Sequence, residues 1–196
     1  MSWIKGLVFG LIGFGAGSGV MMLLGKPLSS DVTITVAYIV ALVCWLLGVG
    51  VWDHWARGWF GLENKPAPTM KSHGVWRYFM FSTDHKVIGI QYLVTFMALF
   101  FIAGALAVLV RIELMMPGQT IFTPEVYNTV MSMHGIVMVA VAVAVLIGGL
   151  GNYFVPLLIG AEDMAFPRLN ALSYWITPPV AITLVVGSLL PSGYTS

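Results

Sequence analysis

Five apolar stretches, near residues 4–24, 32–52, 87–110, 127–151 and 172–190, constrain this chain more than anything else in it. A helix needs about 20 apolar residues to cross a bilayer core of about 30 Å. Backbone inside lipid must satisfy its own hydrogen bonds, and long continuous apolar runs do so as helices. The expected fold class is therefore all-α, a polytopic transmembrane bundle of about five helices. Composition agrees. Only 9% of the 196 residues are charged, against roughly 25% in a soluble domain. The net charge is +1 with no basic stripe, which excludes a nucleic-acid partner because nothing neutralises phosphates. Cys44 is the one cysteine, so an intrachain disulfide and a cysteine-rich metal site are excluded as well.

The amino terminus begins with Met1 to Lys5 and stays apolar to about Leu24. No clear small-residue cleavage site closes a short apolar core, so a retained helix or uncleaved anchor is expected. This run carries Gly6, Gly10, Gly13, Gly15, Gly17 and Gly19. Two readings are open: a face for close helix packing, or a flexible anchor. Asp53 to Lys86 is the sizeable polar connection, and Lys65-Pro66-Ala67-Pro68 reads as a linker within it. Residues 1–81 are thus expected to form a two-helix membrane extension and polar linker, followed by the remaining helices in 82–196.

Lysine and arginine positions predict orientation. If all five runs span, Lys5, Arg57, Lys65, Lys71, Arg77, Lys86 and Arg168 share one side. Lys26 and Arg111 fall on the other. The first side is then cytoplasmic, and the amino terminus with it. Trp3, Trp52, Trp55, Trp59 and Trp76 lie near the inner ends, as an aromatic belt does.

Few polar groups enter the apolar runs, and those that do are functional candidates. His134 lies seven residues past Tyr127, about 10 Å deep along a helix. Gly135 beside it lets a flat cofactor approach the backbone, and Met138 one turn on can pack against such a plate. Imidazole is an axial ligand of haem iron. The alternative is a histidine bonded to a neighbouring helix. Arg111, at the outer end of its run, can meet a polar cofactor substituent or simply snorkel to the interface. Glu113 and Gly118 in the outer loop can offer a carboxylate and a carbonyl to a hard cation such as calcium or sodium; a solvated loop acid is the alternative. At the inner side, Asn152 follows Gly148, Gly149 and Gly151, and Asp163 and Asn170 bracket the next connection. One carboxylate and two amides can collect a proton and order water. Equally, Asp163 can cap a helix or pair with Arg168. His134 and Asn152 are 18 residues apart, about 27 Å if helical. A redox ligand near one face and a proton mouth at the other suit coupling of electron transfer to proton movement.

These residues fall in runs that resemble a known family. The runs are Ser82-Thr83-Asp84-His85-Lys86-Val87-Ile88-Gly89, Arg111-Ile112-Glu113-Leu114 and Met133-His134-Gly135. They continue as Gly148-Gly149-Leu150-Gly151-Asn152-Tyr153-Phe154-Val155-Pro156-Leu157, and as Ile159-Gly160-Ala161-Glu162 leading into Asp163 to Asn170. Ser173-Tyr174-Trp175 and Pro178-Pro179 complete the series. Together, from Ser82 to Ser196, they resemble the start of subunit I of haem–copper terminal oxidases of the aa3 cytochrome c oxidase type. The resemblance implies that His134 is one of two axial ligands of the low-spin haem, haem a, and that Arg111 bonds its formyl group. It implies that Asp163 is the mouth of a proton pathway, with Asn152, Asn170 and Tyr92 ordering its water. It also implies reduction of dioxygen to water by cytochrome c in a bacterial cytoplasmic membrane. The implied partners are the rest of subunit I, a dicopper subunit II, subunit III and membrane lipid. The ligands of the high-spin haem and of copper lie in later family helices, so a split chain or a fragment is expected. Rival readings are a quinol oxidase of the same superfamily and a noncatalytic truncated subunit.

Family members usually carry a proline in the middle of the histidine-bearing helix, whereas Val139 to Ile147 has none. The interval from His134 to Asn152 is also one residue shorter than usual. Loss of both predicts that a local bulge has been removed and that the helix runs on without one.

Overall fold

The computed structural model describes residues 2–63, 74–118 and 121–188. The expected linker Lys65-Pro66-Ala67-Pro68, Lys71, and the end of the fifth run from residue 189 lie outside the described residues. Among the described residues the chain is helical, with no strand. Its helices are α1 (Ser2–Leu23), α2 (Asp31–Val49), α3 (Asp53–Trp59), α4 (His85–Glu113), α5 (Pro124–Val143), α6 (Asn152–Ile159) and α7 (Pro167–Ser188). A 3₁₀ turn covers Gly74–Phe79, and a π-helical stretch, Ala144–Gly151, joins α5 to α6. Among the described residues four spans are long and apolar enough to cross a membrane: α1, α2, α4, and the continuous Pro124–Ile159. The fifth expected run is helical within α7 as far as Ser188 and contains Pro178 and Pro179.

The chain divides into two compact units. One comprises Met1–Val87 with Ala165–Pro179, the other Ile88–Met164 with Val180–Ser196. In the first unit α1 and α2 form a hairpin. Ser30 caps α2 through its Oγ, which accepts the Thr33 N–H at 3.2 Å, a favoured use of serine before a helix. Gly50 closes α2 with a left-handed φ of 94°. The open question about the α1 glycines is answered by packing. A Cβ on Gly13 would lie 2.7 Å from Cys44 Cβ, and one on Gly17 would lie 2.9 Å from Ala37 Cα. Gly15 and Gly19 have nothing within 4 Å of such an atom. One glycine stripe is therefore a close-packing face against α2, and the other glycines lie off it.

In the second unit α4 packs tightly on the π stretch. A Cβ on Gly148 would lie 2.8 Å from Tyr92 Cδ1, and one on Gly149 would lie 2.7 Å from Leu93 Cδ2. The expectation of an unbulged helix is overturned here. The eight-residue π winding overlaps the interval where none was expected. Proline was the wrong signal. Gly148, Gly149 and Gly151 give the backbone enough freedom for a wider turn. At its end the Asn152 N–H bonds Gly149 O, and the Asn152 side chain instead takes Gly148 O, through Nδ2 at 2.6 Å. A π turn rises less per residue, so His134 and Asn152 are closer along the axis than about 27 Å.

Candidate functional site: a histidine on α5 and polar residues around and after the π stretch

His134 lies on α5 and is partly buried. Its Nδ1 is 2.9 Å from the carbonyl oxygen of Ala103 on α4. A carbonyl can only accept, so Nδ1 carries the proton and donates it. In the neutral imidazole Nε2 is then the unprotonated nitrogen, with its lone pair available to a metal. Histidines that ligate metals are held this way, by a bond from the other ring nitrogen to a carbonyl or carboxylate. The alternative foreseen from sequence, a histidine bonded to a neighbouring helix, is thus present and is compatible with ligation. Gly135 is exposed, and a Cβ there would meet nothing within 4 Å. The same holds for Gly104, next to Ala103. Met138 is partly exposed one turn along. These features fit one face of a flat macrocycle whose iron takes Nε2. Among the described residues no group of three or more His, Cys, Asp or Glu side chains could hold a metal ion.

Arg111 occupies the last turn of α4 and is exposed. It stands eight residues beyond Ala103, about 12 Å along the helix from the level of His134. Glu113, two residues on, is buried at 7% exposure. Its Oε2 accepts the N–H groups of Ile121 at 2.7 Å and Phe122 at 3.0 Å. The carboxylate thus holds the loop that leads into α5, a role the sequence did not reveal. Gly118 is exposed, with φ 89°. Both residues line an open groove of ≈ 650 Å³, together with Met115, Met116 and Tyr127.

Within the π stretch, Tyr92 and Asn152 meet at Gly148. The Tyr92 ring lies against its Cα side, and Asn152 bonds its carbonyl. Both residues are buried, at 7% and 5% exposure. Asp163, partly buried in the loop after α6, accepts the Met164 N–H at 2.8 Å. Asn170 belongs to the other unit, in the first turn of α7. Its Nδ2 is a buried donor with no partner among the described residues, a group that calls for an acceptor such as water.

Residues 87–196 match the family model described as cytochrome c and quinol oxidase polypeptide I. The chain belongs to this family. A cytochrome c oxidase subunit 1 from Synechocystis is 49% identical over 108 residues, covering 55% of this chain and 20% of that protein. One from Thermostichus vulcanus is 48% identical over 123 residues, covering 61% and 22%. A cytochrome c oxidase polypeptide 1 from Halobacterium salinarum is 36% identical over 171 residues, covering 83% and 29%. The chain therefore spans between a fifth and three tenths of these relatives. The Halobacterium match also reaches back into residues 1–81, because residues 82–196 make up less than two thirds of the chain. Family membership makes this a multi-pass membrane chain of haem–copper oxidase subunit I type.

Proposed function

We propose that this chain supplies the amino-terminal helices of subunit I in a proton-pumping respiratory oxidase. In this reading His134 Nε2 is one axial ligand of the low-spin haem, haem a, in a complex that reduces dioxygen to water. The observation that supports it is the His134–Ala103 bond, which orients the ring and leaves Nε2 unprotonated in the neutral imidazole. Gly135 and Met138 would flank the macrocycle, and Arg111 would bond its formyl group. A low-spin haem held there relays single electrons. The chain's own part is to orient the imidazole, to exclude water with α4 and α5, and to admit protons at the other end. Asp163 is the mouth of that path. Asn152 and Tyr92 order water beyond it, and Asn170 adds a donor. Glu113 and Gly118 offer at most a carboxylate and a carbonyl to a calcium or sodium ion in the outer groove.

The amino terminus then faces the cytoplasm of a bacterial cell. The second axial ligand, the high-spin haem and the copper centre are held by the remaining part of subunit I. Cytochrome c delivers electrons through a dicopper subunit II, and subunit III completes the complex. The names of the relatives favour cytochrome c over quinol as donor. Copurification of a dicopper subunit, with oxidation of reduced cytochrome c, tests the donor. Reduced-minus-oxidised spectra of the wild-type and His134→Ala complexes test the central assignment: the low-spin signal is expected only in the wild type, and its survival in the variant overturns the reading.

A further inference from the structure

Pro178 and Pro179 interrupt α7 in its middle. In an α-helix the carbonyl of residue 175 receives the N–H of residue 179, and in a 3₁₀ turn that of residue 178. Proline has no N–H. The Trp175 carbonyl has therefore lost both ordinary donors at once. The residue is fully buried, at 0% exposure, where an unsatisfied carbonyl is costly. The structure supplies another donor. Trp45 Nε1, on α2, donates to Trp175 O at 2.9 Å.

The rings around this bond are locked together. Trp3 on α1 packs edge-on against Trp45, with centroids 5.7 Å apart, and lies 5.7 Å from Trp175 as well. Trp45 is 3% exposed. Nearby, Ser2 Oγ accepts the Phe81 N–H at 3.0 Å. The first half of α7 and the α1–α2 hairpin thus belong to one compact unit. Asn170, with its unpartnered buried donor, sits five residues before Trp175 on the same half-helix. That is about 7.5 Å along the axis.

We propose that Trp45 is a positioning residue for proton intake. Its indole N–H stands in for the backbone N–H that Pro179 lacks, and so holds the Asn170 half of α7 on the N-terminal hairpin. The inference rests on the reading of Asn170 as part of the proton path. It gives the hairpin, which lies ahead of residues 87–196 matched by the family model, a task in the reaction.

The test uses the assembled oxidase containing the full chain, as wild type, Trp45→Phe, Pro179→Ala and the double variant. Trp45→Phe keeps an aromatic ring and removes the donor. It is expected to raise hydrogen exchange of the α7 backbone amides between residues 170 and 177 by about tenfold. It is also expected to slow turnover more at alkaline pH, where proton uptake limits, than at acidic pH. Pro179→Ala restores a backbone N–H aimed at Trp175 O. The double variant is expected to return both readouts to within about twofold of wild type, a rescue that ring packing alone cannot produce. Unchanged exchange in Trp45→Phe, or no rescue in the double variant, overturns the inference. If Trp45→Phe does not assemble, assembly of the double variant supports it and failure of both overturns it. Asp163→Asn in parallel separates the two levels. If it shows the alkaline loss and Trp45→Phe does not, the Trp45 role falls alone. If neither shows it, the proton-path reading falls and takes the inference with it.

Discussion

His134 and Trp45 each send a ring N–H to a carbonyl on another helix, both at 2.9 Å. The two carbonyls differ. Ala103 lies inside α4, where residue 107 can supply an ordinary helical N–H, so His134 uses the oxygen's second lone pair. Trp175 lies four residues before Pro179, and its carbonyl depends on the indole. In the first case the backbone serves the ring, fixing an imidazole for ligation. In the second the ring serves the backbone, mending a helix that proline has opened. The same geometry therefore marks a candidate reaction site in one unit and a structural repair in the other.

The sharpest way to break this comparison is His134→Ala. It is expected to abolish the low-spin haem signal while leaving hydrogen exchange across residues 170–177 unchanged. A retained signal would remove the functional half of the contrast. Asp163→Asn comes next. Turnover should fall by at least about tenfold, as for loss of a positioned proton-transfer group, with the low-spin spectrum nearly intact. An equally damaged spectrum would point to misassembly rather than a blocked path.

Glycine substitutions sharpen the comparison at the level of packing. Gly148→Ala drives a Cβ to 2.8 Å from the Tyr92 ring, and Gly13→Ala drives one to 2.9 Å from the Val40 carbonyl oxygen. Each should destabilise by about 1–3 kcal/mol, the usual range for overpacking, as read by thermal unfolding of the complex. Only Gly148→Ala should also slow turnover, since Asn152 is bonded to that residue. Gly15→Ala, with nothing within 4 Å, should stay within about 0.5 kcal/mol of wild type. Arg111→Met carries the smallest effect. A displaced low-spin absorption band with largely preserved turnover is expected, and an unmoved band in a correctly assembled enzyme would argue against a formyl contact.

Much of this was legible in the chain itself. The membrane-crossing helices follow from local apolar runs. Most observed ends lie within three residues of the expected ones, where caps such as Ser30 and Gly50 decide the final turn, but the fourth runs on to Ile159, eight residues past its expected end. His134 stood out because a lone imidazole in an apolar run is expensive. Its tautomer did not, since the partner is a backbone oxygen of Ala103 that no side chain advertises. The bonds of the Glu113 carboxylate were not legible, because its two amide partners lie eight and nine residues away. The π stretch was misjudged because proline was used as its marker, while its winding accompanies close packing of Tyr92 and Leu93 against glycine. The dependence of Trp175 on an outside donor could have been anticipated from Pro178-Pro179, though not the identity of the donor.

The sequence by itself determined that this chain lives in a membrane, that its helices are where they are, and which few polar residues are candidates for chemistry. Those properties arise from neighbours along the chain, through hydropathy, helix rise and caps. Tertiary structure alone decided which glycines face a partner, which nitrogen of His134 holds the proton, and which indole satisfies Trp175. Each depends on a group 20 to 130 positions away, and a hydrogen bond or a close approach exists only once folding has brought such groups within about 3 Å.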